Sequence, residues 1–279
     1  MFETEHPDVK AAVHRALQED IGGGDVTTTL TVPGNLTAGG RFLAKQAFTL
    51  AGIELLPLIY RLFGDEPSLT LHTQSGYRAK PGDVLAEVKG RARTLLTCER
   101  VSLNFIQRLS GVASMAARHV EAVSGTGVRI LDTRKTTPGL RVLEKMAAIA
   151  GGACNHRQGL FDAVLIKNNH ITAAGGVRQA LERVKIFSGP IEIEVRTREE
   201  LDEALASGAQ HVLLDNLTPA EAGKWIAYID KRAAVELSGG IHLDNIRAYA
   251  ETRPDYISCG AITHSAVAVD ISFRLELDA

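Results

Sequence analysis

The sequence predicts an α/β protein whose larger part is an open barrel of about six parallel strands, each followed by a helical segment. Three observations lead there. After Gly127, short apolar runs alternate with amphipathic stretches, the pattern of parallel strands joined by helices. The runs VRILD, AVLIK, PIEIEV, HVLLD, AAVELS and YISCG are too short for helices and apolar enough to be covered on both faces. Their number is below the eight of a closed TIM barrel.

The elements before and around these strands follow in order. Asp8 is placed to cap a first helix in which Val9, Ala12, Val13, Ala16 and Leu17 recur at helical spacing, until Gly22-Gly23-Gly24 stops it. From Leu36 to Arg93 short β-rich runs are broken by glycine and proline, and Lys80-Pro81-Gly82-Asp83 reads as a turn between two strands. A long helix is expected from Thr94 to about Val123, with Gly111 as a point where it can break. Between the later strands lie GLRVLEKMAAIA, VRQALERVKIF, TREELDEALASG, PAEAGKWIAYID and HLDNIRAYAE, all read as helices. The tail from Val267 to Ala279 has short-strand character and can return to the N-terminal part.

Bulk properties narrow the function. Hydrophobic residues make up 45% of the chain and charged ones 23%, ordinary values that promise a real core. A net charge of −2 argues against a nucleic-acid binder that works through overall charge. The acidic start MFETEHPDVK lacks an apolar signal segment, and Ala51–Phe63 is interrupted by Glu54, Pro57 and Arg61, so neither export nor membrane insertion is expected. Cys98, Cys154 and Cys259 are far apart and form no C-x-x-C pair, which suits a reducing cytoplasm rather than a disulfide or zinc framework.

The chemistry gathers at the strand ends. VRILD runs into Thr133, Arg134 and Lys135, and AVLIK ends in Lys167. PIEIEV carries Glu194, HVLLD ends in Asp215, AAVELS runs into Ser238-Gly239-Gly240, and YISCG ends in Gly260 beside Ala261. In a parallel barrel these positions meet at one mouth. Arg134, Lys135, Arg157 and Lys167, with His156, form a cationic set suited to carboxylates or phosphates. Glu194 and Asp215 are paired carboxylates of the kind that hold Mg²⁺ on a diphosphate. Ser238, Gly239 and Gly240 before a helix, and Gly260-Ala261, let backbone N–H groups approach a phosphate. Read singly, His170 suits a cap, and Arg100 and Arg108 suit a solvated or bridging helix face. His264 suits a phosphate contact or a structural role equally, and Trp225 and Tyr228 suit packing.

Several strings in order resemble the quinolinate phosphoribosyltransferase family. They are G-G-D-V-T-T (23–28), C-E-R-V-S-L-N-F-I-Q-R-L-S-G (98–111), D-T-R-K-T-T-P-G-L-R (132–141), N-H-R-Q-G-L (155–160), I-K-N-N-H (166–170), L-L-D-N (213–216), L-S-G-G-I (237–241) and G-A-I-T-H-S (260–265). The resemblance implies an N-terminal α/β sandwich domain, 1–112 with 267–279 returning to it, and an open-barrel domain, 113–266. It implies an enzyme that makes nicotinate mononucleotide, CO2 and pyrophosphate from quinolinate and phosphoribosyl pyrophosphate for NAD biosynthesis. Arg134, His156, Arg157 and Lys167 would hold the quinolinate carboxylates, with Lys135 beside the ring, Thr133 as a further substrate contact and Arg100 entering from a neighbouring subunit. Glu194 and Asp215 would serve the ribose and Mg²⁺, with Lys135 as the third catalytic group. Ser238, Gly239, Gly240, Gly260, Ala261 and His264 would take the 5′-phosphate. A homo-oligomer with shared sites, dimer or hexamer, and no redox cofactor complete the expectation. Asn168 stands where the family's motif has Asp, and Gly152-Ala153-Cys154 replaces a third glycine. Three rivals remain at this point. They are a Schiff-base lysine at Lys167, a carrier module in K-P-G-D-V-L-A-E-V-K-G, and the paralogous phosphoribosyltransferase-like protein of molybdenum transport operons.

Overall fold

The structure, a computed structural model, describes residues 3–277. In chain order the first elements are α1 (Pro7–Ile21), α2 (Val26–Thr31), β1 (Thr37–Ala44), β2 (Phe48–Thr49), α3 (Leu55–Phe63), β3 (Ser68–Leu71), β4 (Arg78–Ala79) and β5 (Val84–Arg91). Next come α4 (Ala92–Ala122), β6 (Arg129–Leu131), α5 (Arg141–Ala150), β7 (Val164–Ile166), α6 (Asn168–Ala174), α7 (Val177–Val184), β8 (Ile191–Val195) and α8 (Arg198–Ala206). The last are β9 (His211–Asp215), α9 (Pro219–Ile229), β10 (Ala234–Ser238), α10 (Ile246–Ala250), β11 (Tyr256–Ser258), α11 (Ala261–His264) and β12 (Ile271–Leu277). Two compact units result, residues 3–117, 136–152 and 263–277, and residues 118–135 and 153–262. The division falls at 117/118 rather than 112/113, and it takes 136–152 out of the barrel unit. No helix among the described residues is long and apolar enough to cross a membrane.

The first unit holds an antiparallel sheet in the order β12-β1-β5-β3. Strand β1 buries every second residue, Ala38, Gly40, Phe42 and Ala44, as a sheet with one face on a core requires. The chain's tail returns as β12 and pairs with β1 from Ala44↔Ile271 to Ala38↔Leu277, and residues 278 and 279 lie outside the described residues. Helix α1 begins two residues earlier than a cap at Asp8 would allow. Pro7 occupies the first helical position, so the cap falls to His6, whose Nδ1 accepts the Asp8 N–H at 3.1 Å. Asp8 instead lies in the first turn, where its charge suits the helix end.

Helix α4 does not break at Gly111. A Cβ there would sit 2.2 Å from the Val267 carbonyl oxygen, so the glycine serves close approach of the returning chain, not a kink. Gly111→Ala should therefore lower stability by about 1–3 kcal/mol through overpacking, read as a fall in the denaturation midpoint. The segment 136–152 joins this unit through Glu144, which is fully buried and receives Arg108 at 2.8 Å, the Thr137 hydroxyl at 2.7 Å and the Thr137 N–H at 3.0 Å. Arg108 also donates to the carbonyls of Ala266 and Thr263, which makes it a bridging residue.

The second unit holds six parallel strands in the order β6-β11-β10-β9-β8-β7. All six strand readings are met. β6 and β7 lie at the two edges, so strand pairing leaves the sheet open, and a parallel bridge from Leu131 to Cys154 extends the β6 edge. Helix α10 is shorter than HLDNIRAYAE promises. The Asn245 side chain accepts the His242 N–H at 2.8 Å and donates to the Gly240 carbonyl at 3.0 Å, so 242–245 form a side-chain-stabilised turn instead of a first helical turn.

Candidate active site

Strand β8 reads I-E-I-E-V and is buried almost throughout. Period-two alternation sends Ile193 and Val195 one way and Glu192 and Glu194 the other. Glu194, 8% exposed, receives the Lys167 ammonium at 2.8 Å. Lys167 is the N-cap of α6, where its N–H donates to His170 Nδ1 at 2.9 Å and its carbonyl accepts the His170 N–H at 2.8 Å. His170 is thus a capping residue that fixes the backbone from which Lys167 extends.

The neighbouring ends of β9 and β10 form a second cluster. Asp215 pairs in register with Ser238 and accepts the Asn216 amide at 2.6 Å. The Asn216 N–H donates to the Ser238 carbonyl at 2.9 Å. Gly239 adopts φ +87°, and a Cβ there would meet Asn216 Oδ1 at 2.3 Å. Gly240 adopts φ +61°, and a Cβ there would meet nothing within 4 Å. The first glycine permits close packing, while the second leaves open space beside its backbone.

His156 and Arg157 line a cavity of about 530 Å³ together with Glu192, His211, Glu236 and Tyr256, while Arg134, Lys135 and Lys167 lie outside its lining. Burial depresses the pKa of Arg157, and the nearby charge of Arg134 depresses it further, while Asp162 and Glu192 oppose both. Burial raises Glu192, against the charges of His211, Lys167 and Arg157 among others. Glu236 is pushed up to about 8, by burial first and then by the charge of Glu192. Arg134 and Arg157 thus feel one another's charge, and Arg157 and Lys167 both act on Glu192, which His156 Nε2 approaches to 3.2 Å.

Other candidates are placed less centrally. Lys135 is exposed, with its N–H on the Thr133 hydroxyl at 3.1 Å. Gly260 and Ala261 stand at the start of α11. Arg100 is exposed on α4 in the first unit, and exposed His264 lies 2.7 Å from the Ser265 hydroxyl there. Reading strand ends alone missed Glu192, Glu236, His211 and Tyr256. The signal was present. In I-E-I-E-V, Glu192 shares a face with Glu194, and in A-V-E-L-S, Glu236 shares one with Ser238.

The comparisons with known proteins agree along the chain. Residues 25–110 match the family model of the quinolinate phosphoribosyl transferase N-terminal domain, and residues 112–274 match that of its C-terminal domain. The nicotinate-nucleotide pyrophosphorylase [carboxylating] of Mycobacterium leprae is 39% identical, over 99% of this chain and 100% of its own. The chloroplastic enzyme of that name from Arabidopsis thaliana is 38% identical, over 98% of this chain and 85% of its own. The crystal structure of NadC from Streptococcus pyogenes superposes with a TM-score of 0.94 at 36% identity, covering 100% of this chain and 99% of that one.

Proposed function

The chain belongs to the quinolinate phosphoribosyltransferase family, and on that premise we propose how its residues divide the reaction. The enzyme joins quinolinate to phosphoribosyl pyrophosphate and yields nicotinate mononucleotide, pyrophosphate and CO2. The division rests on one observation above all. Arg134, Arg157 and Lys167 form a cation cluster whose members repel one another or lean on internal carboxylates, an arrangement relieved by a ligand with two carboxylates.

In this reading Arg134, Arg157 and Lys167 serve the quinolinate carboxylates, His156 serves them indirectly through the Arg157 N–H that its Nδ1 accepts, and Thr133 and Lys135 flank the ring. Arg100 completes the site of a partner subunit in a homo-oligomer. Glu194 and Asp215 face the ribose hydroxyls, while Ser238, Gly239, Gly240, Gly260, Ala261 and His264 serve the 5′-phosphate. The 2.8 Å pair between Lys167 and Glu194 links the two halves, since the lysine that greets one substrate also holds the carboxylate that serves the other. Glu194 and Asp215, on adjacent strands, fit Mg²⁺ as hard oxygen donors. Two carboxylates are too few to cage it alone, which suits a cation delivered with the diphosphate, where it would neutralise charge on the leaving group. The reduced, scattered cysteines support a cytoplasmic home. The molybdenum-operon reading has no observation in its favour.

The chemistry then follows. The pyridine nitrogen lone pair attacks ribose C1 as the C1–O bond to pyrophosphate breaks through a cation-like state, beside which Glu194 and Asp215 contribute negative charge. The pyridinium so formed accepts the electron pair of the C2–carboxylate bond as CO2 leaves, and C2 takes a proton. Partial burial of the cations favours this step, because a carboxylate stripped of water loses CO2 more readily.

Specificity tests the reading. Nicotinate lacks the second carboxylate and would leave a half-buried cation without its anion, so its kcat/KM should fall below that of quinolinate by about a hundredfold or more. Steady-state assays with both acids decide the matter, and comparable turnover of nicotinate would defeat the assignment of the cluster.

A further inference from the structure

His156 is held from three sides. Its backbone N–H donates to Asp132 Oδ1 at 2.8 Å, and its Nδ1 accepts the Arg157 N–H at 2.7 Å. A nitrogen that accepts keeps its lone pair, so the ring hydrogen sits on Nε2. Nε2 lies 3.2 Å from Glu192 Oε2 and 3.6 Å from Glu236 Oε2. These three donors all fall within 4.8 Å of one another, a spacing that would also suit a metal ion. The tautomer argues against that use, because a metal needs the lone pair that Nε2 does not have.

Glu236 is 0% exposed, and neither of its oxygens meets a donor in hydrogen-bonding geometry. Its polar surroundings are His156, Glu192 and Ser258. The reaction outlined above does not use this acid, yet a buried acid with so little support is costly to keep. Near neutrality it carries a proton, since burial and the adjacent Glu192 raise it to about 8. It can then give that proton's hydrogen bond to Glu192, which also faces the His156 Nε2–H.

We propose that Glu236, together with Glu192, is a positioning residue for quinolinate recognition. The two clamp His156 in its Nε2–H tautomer and, through its Nδ1, fix the backbone from which Arg157 extends. The turn that follows is closed by Asp162, which accepts the N–H groups of Gln158 at 2.7 Å and Gly159 at 2.8 Å. Arg157 Nη1 itself reaches the Ala163 carbonyl at 3.3 Å. Between these anchors, rotation of the His156 ring would release the Arg157 N–H and with it the base of the cationic arm. The clamp deepens the reading that Arg157 receives a quinolinate carboxylate, and it rests on that reading for its effect on KM.

Two measurements test it, one independent of the substrate. In the free wild-type enzyme, nitrogen-15 NMR of the assigned His156 ring should show a protonated Nε2 and a bare Nδ1. The opposite tautomer overturns the clamp whatever Arg157 binds. Steady-state kinetics then compare Glu236→Leu with Glu236→Gln, whose amide retains the shape, the donor and the acceptor of the protonated acid. Glu236→Leu should raise the KM for quinolinate about tenfold or more while kcat and the KM for phosphoribosyl pyrophosphate change by less than about threefold. Glu236→Gln should stay within about threefold of wild type in all three parameters. A folded Glu236→Leu enzyme with unchanged quinolinate KM, equal losses in all parameters, or a glutamine variant as poor as leucine would each overturn the proposal. If Glu236→Leu does not fold, the NMR result and the glutamine kinetics decide. An Arg157→Ala enzyme separates the two failures: an unchanged quinolinate KM there too defeats the role given to Arg157, whereas a raised one places the failure in the clamp alone.

Discussion

Homodimers bearing Arg100→Ala, and homodimers bearing Lys167→Ala, should each be nearly inactive, yet mixing the two should restore up to about a quarter of wild-type activity. Lys167 is a single point charge whose 2.8 Å contact ties Glu194 into the site, so its loss removes an anion anchor and leaves a buried carboxylate without its cation. A loss of at least about a hundredfold in kcat/KM is expected from such a truncation. Arg100 is exposed on α4, and in the proposed assembly it enters the partner's site. Random exchange makes half the dimers hybrid, and each hybrid has one site with every wild-type group, hence the quarter. Differently tagged subunits would verify exchange. If they mix and activity stays at background, Arg100 acts within its own chain or not at the site.

Asp215→Ala should lower kcat/KM for phosphoribosyl pyrophosphate by about a hundredfold, equivalent to about 2.7 kcal/mol, and weaken the Mg²⁺ dependence. Quinolinate binding, measured by calorimetry without the second substrate, should stay nearly intact. The reason lies in the separation of partners. Asp215 is in register with Ser238 and bonded to Asn216, whereas Arg157 answers to Asp162 and Glu192, and Lys167 to Glu194. Loss of quinolinate binding with the diphosphate substrate unaffected would invert this division.

The strands and the residues at their ends were legible because parallel strands buried on both faces leave almost nothing but apolar runs, so a polar residue at the end of a run stands out. Lys167, Glu194 and Asp215 were found in that way. Glu192 and Glu236 were hidden for the converse reason. Both lie inside runs otherwise buried, and only the two-residue alternation tells that their carboxyl groups share a face with the site. Local chemistry misled in three places. A proline moved the α1 cap to His6, an asparagine side chain shortened α10, and a glycine read as a helix break turned out to accommodate Val267. Of these, the last depends on a contact between residues 156 positions apart, which no local pattern can announce. Asn168, the departure from the family's motif, uses its Oδ1 on the Asn169 N–H at 2.8 Å in the first turn of α6, and the cation beside it is held by Glu194 instead.

The pairing of β1 with β12 joins residues near the start of the chain to residues near its end. During synthesis on the ribosome, β1 and β5 emerge early, but β1 keeps one bare edge until β12 has emerged. The six strands of the parallel sheet, by contrast, all precede β12 in the chain. The part of the protein translated first is therefore the last to close its sheet. An unpaired strand edge during that interval is a template for association with other nascent chains, and the small side chains of Ala38, Gly39 and Gly40 make this one easier to approach.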